Sequence, residues 1–308
     1  MRSVAFLVLA TLFWAGNFVA GEAAVASVTP LDLTFLRWLL ALIPLLVIAQ
    51  VTEKPDWRAV WRQWPLLLLL AALGLAGFNL LLYVALQYTS PLNASLINAV
   101  NPALLAVLGV LLFKERLGWR GVLGIAIGLF GVVVVLTDGQ VGEVFSRAPN
   151  FGDLLMVGAI VVWSFYTLLG RRLRGVPPIT ATAMQALFVV VGLAPFTIAA
   201  GGVSFPTETG PLLALLYIAA FASVCSYVFW NAALRTVQPS RAGIYLNLIA
   251  VFTALIGLVI GTPISFVQVV GGVLVIGGVM LTSLRPGTGR PRSGRPRSDR
   301  PRRASALG

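Results

Sequence analysis

YVALQYTSPLNASLI, residues 83–97, has an echo 148 positions later in NAALRTVQPSRAGIY, residues 231–245, which shares its Ala-Leu pair and its proline. The echo extends outward in both directions. WAGNFVAGE at 14–22 lies against WSFYTLLGR at 163–171, with Trp14 on Trp163 and Gly21 on Gly170. GVLGIAIGLFG at 121–131 matches the glycine pattern around Gly271 and Gly278. An internal repeat of this length fixes the architecture before any single residue is interpreted.

The repeat is written in hydrocarbon. Of 308 residues 58% are hydrophobic and 10% charged, and mean hydropathy is +0.94. Soluble domains carry roughly 25% charged residues, so this chain cannot present a water-facing surface. Apolar runs lie at about 4–25, 31–51, 64–88, 91–113, 119–137, 151–170, 179–200, 210–234, 240–260 and 264–284, each about long enough to cross a bilayer core of about 30 Å. Backbone groups in lipid must bond internally, and runs that do not alternate mean helices rather than a barrel. The expectation is an all-α polytopic membrane protein of ten transmembrane helices. Five spans per half is an odd number, so the two copies sit in opposite orientations, as in secondary carriers whose sites lie at the midplane between inverted repeats. The divisions expected are a first repeat at 1–138, a second at 139–284 and a tail at 285–308. Residues 1–21 resemble a signal peptide, but as the partner of span six they belong to the mature protein.

Charge orients the bundle. With a cytoplasmic N-terminus, one set of connections holds Lys54, Arg58, Arg62, Lys114, Arg116, Arg120, Arg171, Arg172, Arg174, Arg235 and Arg241. The other holds Arg147 among Glu22, Asp32, Asp138, Glu143, Asp153 and Glu208. This positive-inside asymmetry places both termini in the cytoplasm, in the inner membrane of a bacterium. The tail, RPGTGRPRSGRPRSDRPRRASALG, has eight arginines and one acid, Asp299. Such composition is expected to be disordered, either passive or touching anionic lipid. It lacks the aromatic interleaving of a nucleic-acid arm. No histidine and a single cysteine, Cys225, argue against disulfides, Cys/His metal sites and Ser-His or Cys-His catalysis; no cofactor or metal is expected.

These residues resemble the ten-helix EamA-type carriers of the drug/metabolite transporter superfamily, most of all the YddG-type exporters of aromatic and related amino acids. The matching pieces are WAGNFVAG, PLDLTFLRW at 30–38, ALQYTSPLNASLI and LFKERLGWRGVLGI within 86–125, and GDLLMVGAIVVWSFYTLLGRR at 152–172, with their second-half copies. The resemblance covers residues 4–284. It implies two inverted five-helix repeats around a central cavity and export by alternating access. One departure stands out. Such carriers commonly carry a Glu in both half-ending turns, and here Glu115 of KERL has Thr262 of GTPIS as its counterpart. Four-helix multidrug relatives couple to protons through a carboxylate in the first helix, where this chain has Trp14, so facilitated or exchange transport is expected.

Candidate site residues are polar or aromatic groups at mid-span. Asn98 and Asn101 stand beside Pro102, which lacks an N–H and is expected to kink span four, with Ser95 one turn away. Asn79 and Tyr83 lie at helical spacing in span three, as do Tyr227 and Asn231 in span eight. Trp14 and Asn17, Trp163 and Tyr166, and Tyr245 with Asn247 complete the set. The alternative for each amide is helix–helix hydrogen bonding, and for each ring simple packing. Arg37 is expected to reach the surface or pair with Asp32 or Glu22, or else to attract a substrate carboxylate or latch a gate. The cavity is therefore expected to lack fixed charge at mid-membrane. Its amides, hydroxyls and rings suit a neutral or aromatic amino acid taken by a monomer, rather than a nucleotide sugar. A channel and a lipid-modifying membrane enzyme are the readings from other classes.

Overall fold

A computed structural model describes residues 2–113, 118–141, 150–237, 242 and 245–283. Lys114, Glu115, Arg116, Glu143, Arg147, Arg241 and the tail at 285–308 lie outside the described residues. Among those described there is no β-strand.

Helices follow the apolar runs. α1 is Arg2–Val25 and α2 is Pro30–Thr52; a short α3, Trp57–Trp61, follows. α4 runs Trp64–Ala85. α5, Pro91–Asn98, and α6, Asn101–Phe113, are two half-helices on one run. α7 is Trp119–Leu136, α8 Phe151–Gly170, α9 Pro178–Ala199 and α10 Thr209–Leu234. α11 is Leu248–Val259 and α12 Phe266–Ser283. Six of these, α1, α2, α4, α8, α9 and α10, are long and apolar enough to cross a membrane; α7, α11 and α12 are shorter apolar helices.

Local chemistry sets the helix starts. Thr29, Ser90 and Asn150 accept from the amides of Asp32, Asn93 and Gly152 at 3.1, 3.2 and 2.7 Å, satisfying donors that a first turn leaves open. Proline stands in the first turn of α2, α5 and α9, where its missing N–H costs nothing.

The two halves depart from regular helix in the same places. α4 contains a π-helical stretch at Ala71–Gly77, and α10 contains one at Ile218–Cys225. The run of α5 and α6 breaks at Ala99–Val100, and helix resumes at Asn101 with Pro102 inside its first turn. In the second half a turn at Leu246–Asn247 precedes α11. The packing partners also correspond. α2 packs on α9 and α7 on α12. α1 meets α10 as α4 meets α8, and α1 meets α11 as α5 meets α8.

The connections collect at two ends. At one, Glu53 accepts from Ile179 N (3.0 Å) and Thr180 N (2.7 Å), capping α9, and Gln63 Nε2 donates to Arg174 O (2.6 Å). At the other, Asn150 Nδ2 donates to Tyr88 O (2.9 Å), Thr89 bonds Asp153, and Gln268 Nε2 donates to Asn93 Oδ1 (2.8 Å).

Candidate functional site: a polar cavity between the halves

The cavity begins with the π-helical stretches. A wider turn frees carbonyls from the usual ladder, and neighbouring helices use them. Trp38 Nε1 donates to Leu75 O (3.1 Å), as does Asn79 Nδ2 (2.6 Å), while Trp14 Nε1 donates to Ala222 O (3.2 Å). Each indole is thereby fixed by the irregular segment of a different helix. The Tyr166 ring lies where a Cβ on Gly74 would stand, so the glycine in α4 makes room for it.

The space enclosed is a cavity of about 200 Å³. Trp14, Asn17 and Phe18 of α1, Arg37 of α2, Phe78 and Asn79 of α4, and Asn98, Ala99, Asn101 and Pro102 of the broken run line it. Trp163 and Thr167 of α8, Tyr227 and Trp230 of α10, and Leu246, Asn247 and Ile249 complete the wall. The rings interlock: Trp14 lies 5.4 Å from Trp230 and 5.6 Å from Tyr227, and Trp163 lies 5.0 Å from Phe78 and 4.9 Å from Tyr166. A second cavity shares the walls of Trp14, Trp163, Thr167, Tyr227 and Trp230 and continues past Tyr166, Gln185 and Asn231 to Gly170, Leu173, Val176 and Pro178. That is the end where Arg171, Arg172 and Arg174 lie. Toward the opposite end, Phe18 and Ile249 are 3% and 5% exposed, and one turn beyond them Glu22 and Thr253 line a separate pocket, also of about 200 Å³.

Of the candidate residues, the structure brings Trp14, Asn17, Asn79, Asn98, Asn101, Pro102, Trp163 and Tyr227 to the central cavity, and Tyr166 and Asn231 to its continuation. Three stand elsewhere. Ser95 is fully buried and bonds its own helix at Leu92 O (2.8 Å). Tyr83 is fully buried behind Arg37. Tyr245 lines a lateral, mostly apolar pocket with Asn247, Leu248, Val251, Ile276 and Met280. Asn101 serves two purposes, since it faces the cavity and also accepts from Ser164 Oγ at 3.0 Å.

Arg37 corrects the charge expectation. It neither reaches the surface nor bonds to Asp32 or Glu22; it is 3% exposed and lines the cavity. Its Nε donates to Ser223 Oγ (3.0 Å), and its Nη1 donates to Asn79 Oδ1, Tyr83 OH (2.6 Å) and Asn17 Oδ1 (3.3 Å). Tyr83 also donates to Asn17 Oδ1 at 2.9 Å. The cavity therefore holds a fixed cation at the meeting of α1, α2, α4 and α10. Trp230 was also missed as a wall residue, whereas Asn247, singled out with Tyr245 in span nine, does line the cavity. Trp230 had a signal, standing three residues after Tyr227 on the same helix face; Asn247, two residues after Tyr245, lies between the central cavity and the lateral pocket and lines both.

A helical bundle with apolar spans, broken helices and an enclosed polar cavity is the build of an integral membrane transporter. The sequence comparisons define which kind. The profile of the EamA-like transporter family matches residues 1–137 and again 150–284, and the chain belongs to that family. It is 31% identical over 279 residues to the uncharacterized transporter YyaM of Bacillus subtilis, covering 89% of this chain and 90% of that protein. It is 32% identical over 287 residues to an uncharacterized transporter of Archaeoglobus fulgidus, covering 91% and 96%. A Salmonella typhimurium protein named "Probable amino-acid metabolite efflux pump" is 24% identical over 288 residues, covering 89% and 92%. One solved crystal structure shares the fold, with a TM-score of 0.67 at 23% identity over 92% of this chain and 96% of that one.

Proposed function

We propose that this protein is a secondary carrier exporting neutral or aromatic amino acids, or closely related metabolites, by alternating access. In this reading residues 1–138 and 139–284 form two inverted five-helix repeats, with both termini in the cytoplasm of a bacterium and the inner membrane around them. The observation that carries the proposal is the central cavity. It is walled by Trp14, Trp163, Tyr227 and Trp230 together with asparagine amides. Rings of this kind stack on an indole or phenyl group and attract an ammonium, while amides orient polar groups.

Several observations support the topology. The family profile matches twice, once per half. The helix pairings recur when the halves are exchanged, and the irregular stretches of α4 and α10 correspond. The cavity continues toward the end bearing Arg171, Arg172 and Arg174 and is covered by Phe18 and Ile249 on the other side. That is an inward-facing arrangement if arginines mark the cytoplasm. With no carboxylate among the described residues of the central cavity wall, exchange or facilitated movement fits better than proton antiport. The tail at 285–308 would be either passive or drawn to anionic lipid by its arginines, and the unit of transport would be the monomer.

Counterflow in liposomes tests this reading. Vesicles preloaded with unlabelled tryptophan or leucine should accumulate the labelled amino acid transiently, without an imposed ion gradient. If labelled amino acids only equilibrate at the rate of protein-free vesicles, the substrate class is wrong. If a proton gradient alone drives accumulation, the coupling is wrong.

A further inference from the structure

Arg37 is hard to account for as packing. Its four hydrogen bonds go to Ser223, Asn79, Tyr83 and Asn17, all neutral groups. None of its partners is an acid: among the described acids, Asp32 accepts from Thr29 and leaves Oδ1 unpartnered, Glu53 caps α9 and Asp153 bonds Thr89. A cation held in a membrane interior by dipoles alone lacks the counter-charge that usually accompanies it. The Nη2 group of Arg37 donates to none of the described residues, and the residue lines the central cavity.

A second, independent group in the same wall is unsatisfied. Asn247 is 3% exposed, and both its Nδ2 and its Oδ1 are buried without a partner. It precedes α11 yet does not cap it. An orphaned buried amide costs about 1–3 kcal/mol, so its retention on a cavity wall points to a partner that arrives with the ligand. Arg37 offers the N–H donors of its free Nη2, its Nε and Nη1 being engaged, and Asn247 offers an amide donor. Arg37 is the lone charged residue lining this cavity among those described, which matches one negative charge. A phosphate with two charges would call for more.

We infer that Arg37 and Asn247 form an anion subsite in the central cavity that takes the carboxylate of the solute, whose apolar part lies among Trp14, Trp163 and Trp230. The inference deepens the amino-acid reading and rests on it for the identity of the whole solute, but the carboxylate requirement is separately testable. A Lys ammonium has three donors, too few to keep the four bonds of Arg37 and still bind an anion, so Lys cannot fully replace Arg37.

The test measures binding by purified full-length protein in detergent to tryptophan, tryptophan amide, tryptamine and indole-3-propionate, with leucine and 4-methylpentanoate as aliphatic counterparts. Tryptophan should bind at least roughly tenfold more tightly than its amide or tryptamine, as expected for hydrogen bonds to a charged group. Arg37→Gln should abolish that preference and leave amide binding in place, and Arg37→Lys should recover part of it. Should the Arg37 variants fail to fold, Asn247→Leu carries the test, with a smaller loss confined to the carboxylates. Equal binding of tryptophan and its amide by the native protein overturns the subsite and leaves the amino-acid reading standing. Binding of the simple acids without tryptophan or leucine does the reverse. Failure of every carboxylate in the panel to bind overturns the subsite too, and so does a preference that survives Arg37→Gln and Asn247→Leu.

Discussion

Two helix interfaces in this molecule solve the same problem, association inside lipid, in opposite ways. α7 and α12 meet through glycine. A Cβ on Gly278 would stand 2.5 Å from both Gly124 O and Gly128 N, and one on Gly131 would stand 2.8 Å from Val275 N. The backbones touch, and dispersion over that area needs no polar group. Around the cavity, α1, α2, α4 and α10 are instead joined through Arg37 and its ring of amides and hydroxyls, with π-helical stretches at Ala71–Gly77 and Ile218–Cys225. Irregular backbone is tolerated at membrane depth where it is buried in protein or lines a cavity. The contrast separates what holds this protein together from what it holds. Small residues mark the first, and uncompensated polarity marks the second.

The glycine seam should be the less forgiving of the two. Gly278→Val must push backbone away from backbone, because the atoms it meets belong to Gly124 and Gly128 rather than to a flexible side chain. Overpacking typically costs 1–3 kcal/mol and more where nothing can yield. A large drop in melting temperature in detergent is expected, with substrate affinity unchanged in whatever fraction stays folded. A variant that melts normally would mean the seam is looser than the geometry indicates.

Asn101→Leu acts on the other side of the comparison and should show a mixed signature. Ser164 shares its proton between Asn101 Oδ1 (3.0 Å) and Ile160 O (2.7 Å), so it keeps a partner when the amide goes. The stability loss should be close to the roughly 0.6 kcal/mol typical of hydrogen bonds between membrane helices. Removal of a cavity-wall amide should raise the transport KM for tryptophan by roughly tenfold, the lower end for a hydrogen bond to a charged group. Melting temperature and KM measured on one preparation separate the two effects. A destabilised variant with native KM would make Asn101 an interhelical tie and nothing more.

Much of this was legible in the sequence, for identifiable reasons. Hydropathy places helices because lipid forces backbone groups to bond internally, and the glycine spacing at Gly124 and Gly128 announces close packing because only a missing Cβ permits it. The break before Pro102 was legible as a defect, though helix stops at Asn98 and restarts at Asn101 instead of bending through the proline. Asn17, Asn79 and Tyr83 were singled out by spacing, but their work is to hold Arg37. That was not legible, because the partners of Arg37 come from three other helices and Ser223 lies 186 positions away. A lone arginine two turns inside a span reads as one that snorkels until the helices that surround it are in place. Ser95 and Tyr245 share the cavity's run of sequence but not its inward face, a distinction of helix rotation that broken helices remove from simple periodicity.

The smallest expected effect lies one residue from the largest. Gly277 is exposed on the outer face of α12, and a Cβ there would meet nothing within 4 Å. Gly278, its neighbour, is buried in the seam. A helix-interior glycine costs roughly 0.5–1 kcal/mol relative to alanine, through the backbone freedom it loses on folding. Gly277→Ala should therefore stabilise the protein slightly, with transport kinetics unchanged, while the same change at Gly278 destabilises it. The pair is a sharp comparison because composition, helix and depth are held nearly constant and only the facing surface differs. If Gly277→Ala lowered the melting temperature, that face of α12 would be packed against something other than lipid. If the two alanine variants behaved alike, the approach of α7 and α12 through glycine would be wrong, and with it the division between a dry seam and a polar cavity.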